Sequence, residues 1–391
     1  MQYPPGALDG VRILDLSRVL AGPYATMLLA DMGAEVIKVE RPGIGDETRA
    51  WAPPKAEDGT STYFASVNRN KRSVTASLSD PDDADALRRL ARQADVVVEN
   101  SRAGTLDRYG LGYADLKREN PALVYCSITG FGAKAGADLP GFDLLVQAAS
   151  GLMSITGETD GEPSKVGVAL VDVITGLHAV TAILSAIIER DRAGGSGEGQ
   201  HVEVNLLSSA LSALVNQASA YVAGGAEPAR MGNAHPSIAP YEVVHTADRA
   251  MTLAVGTDRQ FAALAEAIDM PEIATDARFA ENAARVAHRA ELLPLLEGAL
   301  AERSAAEWSE IFRARGIPAS VINTVSEAFA FAECLELDPV IEIESDGIRH
   351  RQVANPITFS RTPVRYSSPP PGVGPRIRAD ETFAGDNPKE A

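Results

Sequence analysis

Hydrophobic and polar positions at the start of the chain change period twice within thirty residues. "VRILDLS" (11–17) is apolar at alternate positions, as a strand is, and "GPYATMLLADMGA" (22–34) opens on Gly-Pro, takes up a helical period and stops at a glycine. "EVIKVE" (35–40) then reads as a second strand. Strand, helix, strand in so short a span predicts a parallel α/β unit. The pattern resumes with "SDPDDADALRRLARQA" (79–94), a helix whose serine and early acids suit its N-terminus, followed by the apolar strand "DVVVEN" (95–100). "ALVYCSITGFG" (122–132) is a further buried strand running into a glycine turn, and helices are expected over 141–154 and 173–195.

The style then shifts. "RAGGSGEGQ" (192–200) is a turn before the strand "HVEVNL" (201–206), and a helix over 207–225 leads into a Gly-Pro-Asn-rich segment. Beyond it come a strand-like "MTLAVG" (251–256), a helical "RQFAALAEAI" (259–268) and a long Ala-Glu-Arg section, so 225–330 is the candidate second domain. Strands return in 346–360, and the Pro-Gly-rich 368–385 reads as an extended tail laid on a surface. There is no tandem repeat.

With 391 residues the chain can bury a large core and is expected to hold two domains. Its 36 basic and 53 acidic residues give a formal charge of -17, which argues against a nucleic-acid or acidic-membrane partner. Basic residues are nevertheless concentrated at Arg12, Arg18, Lys38, Arg41, Arg49 and "RNKR" (69–72), enough for a small anionic ligand. Cys126 and Cys334 offer neither a disulfide framework nor a metal-thiolate spacing, and the six histidines form no HxxxH or HExxH pair, so no metal is expected. The opening residues carry no secretory or transit pattern and no apolar run approaches bilayer length, so the expectation is a soluble cytoplasmic protein.

One acid stands out. Asp172, in "KVGVALVDVITGLHA" (165–179), follows a nearly uncharged, β-branched stretch, where a bare carboxylate is costly unless chemistry or hydrogen bonding retains it. Local sequence leaves two readings open, a reactive carboxylate or a helix N-cap.

The segments "LDGVRILDLSRVLAGPYATMLLADMGAEVIKVERPGIGDETR" (8–49), "NRNKRS" (68–73), "DVVVEN" with "GTLDRYGLGYADL" (95–115), "YCSITGFG" (125–132), "GFDLLVQAASG" (141–151) and "GEGQHVEVNLLSSAL" (197–211), in this order, resemble the class III coenzyme A transferases, the CaiB/BaiF family. The resemblance implies an α/β fold: a Rossmann-like large domain built from both chain ends (1–224 and 331–391), with a smaller α/β domain inserted at 225–330. It also implies an interlocked, ring-like homodimer, with acyl-CoA and a small carboxylic acid as partners. Coenzyme A thioester would be a substrate, and no cofactor would be tightly bound. Asp172 would be the nucleophile of a ping-pong reaction through an aspartyl-CoA thioester.

The resemblance also distributes the coenzyme contacts. Arg18 and Arg41 follow the first two strands, where an open α/β sheet places ligands, and Arg41 could make charge-assisted contacts to phosphate. Lys71, Asn100, Arg108 and Lys134 fall in segments that line the coenzyme channel in the family, and Leu20 stands where the oxalate enzymes have glutamine. Oxyanion donors are expected from glycine amides of the 129–132 turn or from the small domain. "GLG" (110–112) and "GIG" (43–45) are not dinucleotide fingerprints.

Two departures narrow the chemistry. Phe142 occupies the place of the racemases' histidine and cannot move a proton, which counts against acyl-CoA racemisation. "MGNAHPSIAPYEVV" (231–244) lacks the glycine-repeat lid of the formyl-CoA:oxalate enzymes and resembles branches acting on succinyl donors and on glutarate, itaconate, mesaconate or citramalate, with His235 and Ser237 placed to meet a distal carboxylate. The expected activity is therefore CoA transfer from succinyl-CoA or a similar donor to such a dicarboxylate. Intramolecular CoA transfer and carnitine- or bile-acid-type transfer stay open beside it.

Overall fold

The computed structural model describes residues 5–384. Six strands form one sheet: β1 (Arg12–Asp15), β2 (Glu35–Glu40), β3 (Lys71–Thr75), β4 (Val96–Glu99), β5 (Val124–Thr129) and β6 (His201–Asn205). Every neighbouring pair is parallel and the order is β3-β2-β1-β4-β5-β6. That order is the doubly wound, Rossmann-like one, in which the chain reverses direction across the sheet between β1 and β4. Because side chains alternate faces, Ile13, Val96, Val98, Val124, Cys126 and Ile128 enter one core, while Leu14, Val97 and Tyr125 enter the other. Helices Ala21–Asp31 and Leu170–Asp191 cover the first face, and helix Pro81–Gln93 covers the second.

Helix Leu170–Asp191 corrects one expectation from sequence. Its 22 residues are long and apolar enough to cross a bilayer by length and composition. Here Val171, Ala179, Val180 and Ile183 are buried in the core of the sheet, so part of that apolar surface is spent on packing. Gly176 makes the packing possible. A Cβ there would stand 2.8 Å from the carbonyl oxygen of Ala21, so the helices meet nearly backbone to backbone.

The tail after Ser368 is extended, and it covers the edge of β3. Thr75 N–H donates to Pro375 O and Ile377 N–H donates to Thr75 O, both at 2.8 Å. Ile377 and Phe383 insert into the second core. Gly374 lies against Ser73 O, where any Cβ would collide with the strand. The tail thus satisfies an edge that would otherwise be open to pairing. Before it, β10 (Val340–Ser345) and β11 (Ile348–Val353) form an antiparallel hairpin whose turn residues Asp346 and Gly347 both have positive φ, as a two-residue hairpin turn requires.

The chain divides into two compact units. One runs to Leu152, resumes over Val166–Gly225 and returns from Asp338; the other comprises Met153–Lys165 and Ala226–Leu337. The second unit thus extends past the expected 225–330 to Leu337 and takes in 153–165, a short stretch tied to it when Arg230 donates to Glu158 O and Gly232 N–H to Gly157 O. The second unit has its own antiparallel sheet, β7 (Tyr241–His245), β8 (Ala250–Ala254) and β9 (Ala319–Val321), and its own core around Phe261, Phe279, Leu296, Trp308 and Phe312. Capping boxes at Thr257–Gln260, Ser304–Glu307 and Thr324–Glu327 begin three of its helices.

Candidate active site

Asp172 lies inside the first turn of helix Leu170–Asp191, not before it, so it is not the N-cap; Ala169 holds that place and has no side chain to cap with. The capping is done by a distant acid. Asp143, at the start of helix Asp143–Ala149, accepts through Oδ1 from the backbone N–H of Val171 at 2.8 Å and of Asp172 at 3.2 Å. Gln147, one turn on, donates to Asp143 Oδ2 and accepts from Val166 N–H at 2.9 Å, so the segment leading into Asp172 is held as well. Two carboxylates therefore share one helix N-terminus, whose positive end favours both. Burial, and then the charge of Asp143, push the Asp172 carboxyl up to about 7.

Tyr63 belongs to the same electrostatic neighbourhood. Burial, and then the charges of Asp172, Asp143 and Asp46, hold its phenol above the ordinary range and therefore protonated. Its ring stands edge-on to Trp51, with centroids 4.9 Å apart. Neither Tyr63 nor Asp143 was singled out from sequence. Asp143 stands in the segment expected as a helix over 141–154, and its tie to residue 172 spans 29 positions. His178 is a packing residue: its Nδ1 is 2.9 Å from Ser209 Oγ. In the 129–132 turn the Gly132 N–H donates to Thr129 Oγ1 at 3.1 Å, so that expected oxyanion donor is already engaged.

A pocket of about 300 Å³ opens beyond the carboxyl ends of β1, β2 and β4, the side on which such sheets bind ligands. Leu16, Arg18, Arg41, Leu78, Ser101 and Arg102 are among its lining residues. Asn100 fastens its floor at the point where the strand order reverses: its Oδ1 accepts from Arg18 N–H at 2.9 Å and its Nδ2 donates to Arg18 O at 2.7 Å. The amide is thereby committed to the backbone of the loop that follows β1. Val19, beside Arg18, has φ of 69°, a strained value for a β-branched residue, and its N–H donates to Asp46 Oδ2 at 3.2 Å. Leu20 is buried at the start of helix Ala21–Asp31.

Not all of the expected coenzyme contacts line this pocket. Lys71 is buried, and its ammonium donates to Pro23 O at 2.8 Å, Asn68 Oδ1 at 3.0 Å and Asp15 Oδ2 at 3.1 Å. All three of its N–H groups are used, which leaves none for a phosphate. Burial pushes it down to about 8 against the pull of Asp15. Arg108 and Lys134 are exposed and do not line the pocket. The local concentration of positive charge seen in the sequence is largely neutralised within the fold: Lys38 pairs with Asp46, Arg49 with Glu40, Arg69 with Asp31 and Arg72 with Glu381. Arg18 and Arg41 reach the pocket, and Arg102, which sequence reasoning passed over, joins them there.

In the second unit His235 and Ser237 form one local device. Ser237 N–H donates to His235 Nδ1 at 3.1 Å, which places the ring proton of the neutral imidazole on Nε2. Asn282 donates to Ser237 O and accepts from Ala239 N–H, and Arg289 donates to His235 O and Ile238 O, so the 235–240 loop is tied at four points. No cluster of acids, histidines and cysteines able to hold a metal ion occurs among the described residues.

Comparison with known proteins gives a consistent picture. The family model described as CoA-transferase family III matches residues 8–376. The chain is 46% identical over 378 residues to the succinate–glutarate CoA-transferase of Agrobacterium fabrum, covering 95% of this chain and 93% of that one. It is 42% identical over 373 residues to the succinyl-CoA:glutarate CoA-transferase of Mus musculus, covering 95% and 85%. Among solved structures, a CaiB/BaiF family protein from Brucella suis superposes with a TM-score of 0.84 at 42% identity, covering 95% of this chain and 97% of that one.

Proposed function

The chain belongs to CoA-transferase family III and is an enzyme of that class, and from this premise we propose that it moves coenzyme A from succinyl-CoA or a similar acyl-CoA to a dicarboxylic acid of the glutarate, itaconate, mesaconate or citramalate type. The observation that carries the reading is Asp172: a half-buried carboxylate at a helix N-terminus, fixed by Asp143 and pushed up to about 7. A desolvated carboxylate with a raised pKa is a stronger nucleophile than a solvated one. The substrate class is supported by the names of the relatives at 46% and 42% identity.

The reaction is balanced without a cofactor. Ionised Asp172 attacks the thioester carbonyl, the C–S bond breaks, and a mixed anhydride and CoA thiolate result. The thiolate attacks the aspartyl carbonyl, giving aspartyl-CoA thioester and releasing the donor acid as its carboxylate. The acceptor carboxylate then attacks that thioester and expels the thiolate. The thiolate closes on the acceptor's carbonyl and frees Asp172. Each step exchanges one acyl bond for another, so activation is kept from water. The Tyr63 hydroxyl supplies a donor to oxyanions formed at Asp172. Arg18, Arg41 and Arg102 take the phosphates of coenzyme A, and Asn100 holds the turn that presents Arg18. His235 and Ser237 engage the far carboxylate of the acceptor, which the Nε2–H tautomer suits. The working form is an interlocked homodimer in the cytoplasm.

The test is an acceptor screen. Succinyl-CoA is incubated with the enzyme and, separately, glutarate, itaconate, mesaconate, citramalate, oxalate and carnitine, and new thioesters are read by mass. A dicarboxyl-CoA product supports the proposal. Transfer to oxalate or carnitine alone would overturn the substrate class.

A further inference from the structure

Two arginines of the pocket already hold an anion. Glu47, in the short turn Glu47–Ala50 that follows β2, accepts through Oε1 from Arg18 Nη1, and the same oxygen lies 3.3 Å from Arg41 Nη2. Both guanidiniums that line the pocket from β1 and β2 are thus drawn to one carboxylate oxygen. The other oxygen, Oε2, is buried and makes no hydrogen bond among the described residues. The contrast with Arg49 is informative. Arg49 grips Glu40 with two parallel bonds of 2.7 Å, one to each oxygen, so both oxygens of that carboxylate are satisfied. The Glu47 arrangement is half made. Its arginines are also wetter, with side-chain exposures of 30% and 53% against 15% for Arg49.

We propose that Glu47 is an affinity-setting residue for the coenzyme: it occupies Arg18 and Arg41 when the pocket holds no phosphate and must surrender them when the polyphosphate end of an acyl-CoA arrives. This rests on the reading of Arg18 and Arg41 as phosphate contacts. A phosphate presents several oxygens and can satisfy two guanidiniums at once, whereas Glu47 offers each of them only Oε1. Ligand binding therefore exchanges one set of charge-assisted bonds for another. The net gain is smaller than two free arginines would give. For an enzyme that must release a CoA ester at the end of every cycle, a weaker grip speeds departure.

The test is calorimetric binding of free coenzyme A and of 3′-dephospho-coenzyme A to the full-length protein. Glu47→Gln, which keeps the shape and removes the charge, should tighten coenzyme A binding about three- to tenfold. Glu47→Ala should do the same if the glutamine variant is poorly folded. A residue with a purely structural role would not produce a gain when removed. In an Arg18→Ala/Arg41→Ala background the gain should vanish; if it persists, Glu47 acts only through the general field and the proposal falls. If Arg41→Ala weakens binding while neither Glu47 variant tightens it, the pocket reading stands and the competitor reading is overturned. If Arg41→Ala leaves affinity unchanged, the pocket reading itself fails.

Discussion

The carboxylate of Asp143 accepts the backbone N–H of Asp172 at 3.2 Å, so one acid fixes the helical turn on which the other stands. The same contact brings two negative charges together, and it is this charge, added to burial, that raises Asp172. Asp143 therefore positions Asp172 and adds its charge to the larger effect of burial. The pH dependence follows directly. Asp172 must be ionised to attack, so kcat/KM for succinyl-CoA should fall as pH drops below about 7, with a single-proton slope. Asp143→Asn keeps an oxygen for the two N–H groups but removes the charge, and should move the midpoint towards the ordinary carboxylate range. A pH profile of the two enzymes checks this; an unmoved midpoint would separate the two acids electrostatically.

Asp172→Asn should abolish exchange and yet make the protein more stable at neutral pH. An acid whose folded pKa is raised holds its proton longer in the folded state, so stability falls as pH climbs from the unfolded value near 4 to about 7 and is level above. The asparagine variant escapes that cost. Denaturant melts should show it ahead by roughly 1–3 kcal/mol at pH 8, with the difference gone near pH 4. Equal stability at both pH values would mean the carboxylate is better solvated than its place in the helix indicates.

How much of this could be read from the chain depends on how far apart the interacting residues lie. Alternation in "VRILDLS" and "DVVVEN" was enough to send Ile13 and Leu14, or Val96 and Val97, to opposite faces, because a strand's period is local. Lys71 is expected at the coenzyme because its segment resembles the family's channel, while the acid it pairs with, Asp15, is 56 positions away and cannot be matched to it from sequence. The role of Asp143 was hidden in the same way. That Arg41 lines a pocket follows from sequence, because the carboxyl end of a strand in a doubly wound sheet is a place fixed by topology, not by partners.

Gly176→Ala tests the helix crossing beneath the site. Alanine favours a helix by up to ~1 kcal/mol over glycine, but its methyl group would meet Ala21 O at 2.8 Å and Tyr24 at 3.1 Å. Crowding of this kind costs about 1–3 kcal/mol and here it falls on backbone, which gives way less than a side chain does. A net loss of about 1–2 kcal/mol is expected in thermal or denaturant melts, with kcat reduced because Asp172 lies one turn away on the same helix. A stabilised variant would show that the two helices can separate freely.

Lys38→Met examines the buried charges that carry the Arg18 turn. Lys38 is fully buried; its ammonium is 2.9 Å from Asp46 Oδ2 and donates to Ser17 O at 3.0 Å. Asp46 in turn receives the N–H of Val19, the residue with the strained backbone next to Arg18. Removing the lysine leaves a buried carboxylate without its cation, which costs about 3–5 kcal/mol. Adding Asp46→Asn removes the stranded charge and should recover much of that loss. It should not recover the coenzyme site, because Ser17 O has lost its donor and the turn its anchor. The expected pattern is a melting temperature that returns in the double variant while the KM for succinyl-CoA stays raised. If KM returned with stability, the network would serve the fold alone and the turn would hold Arg18 in place without it.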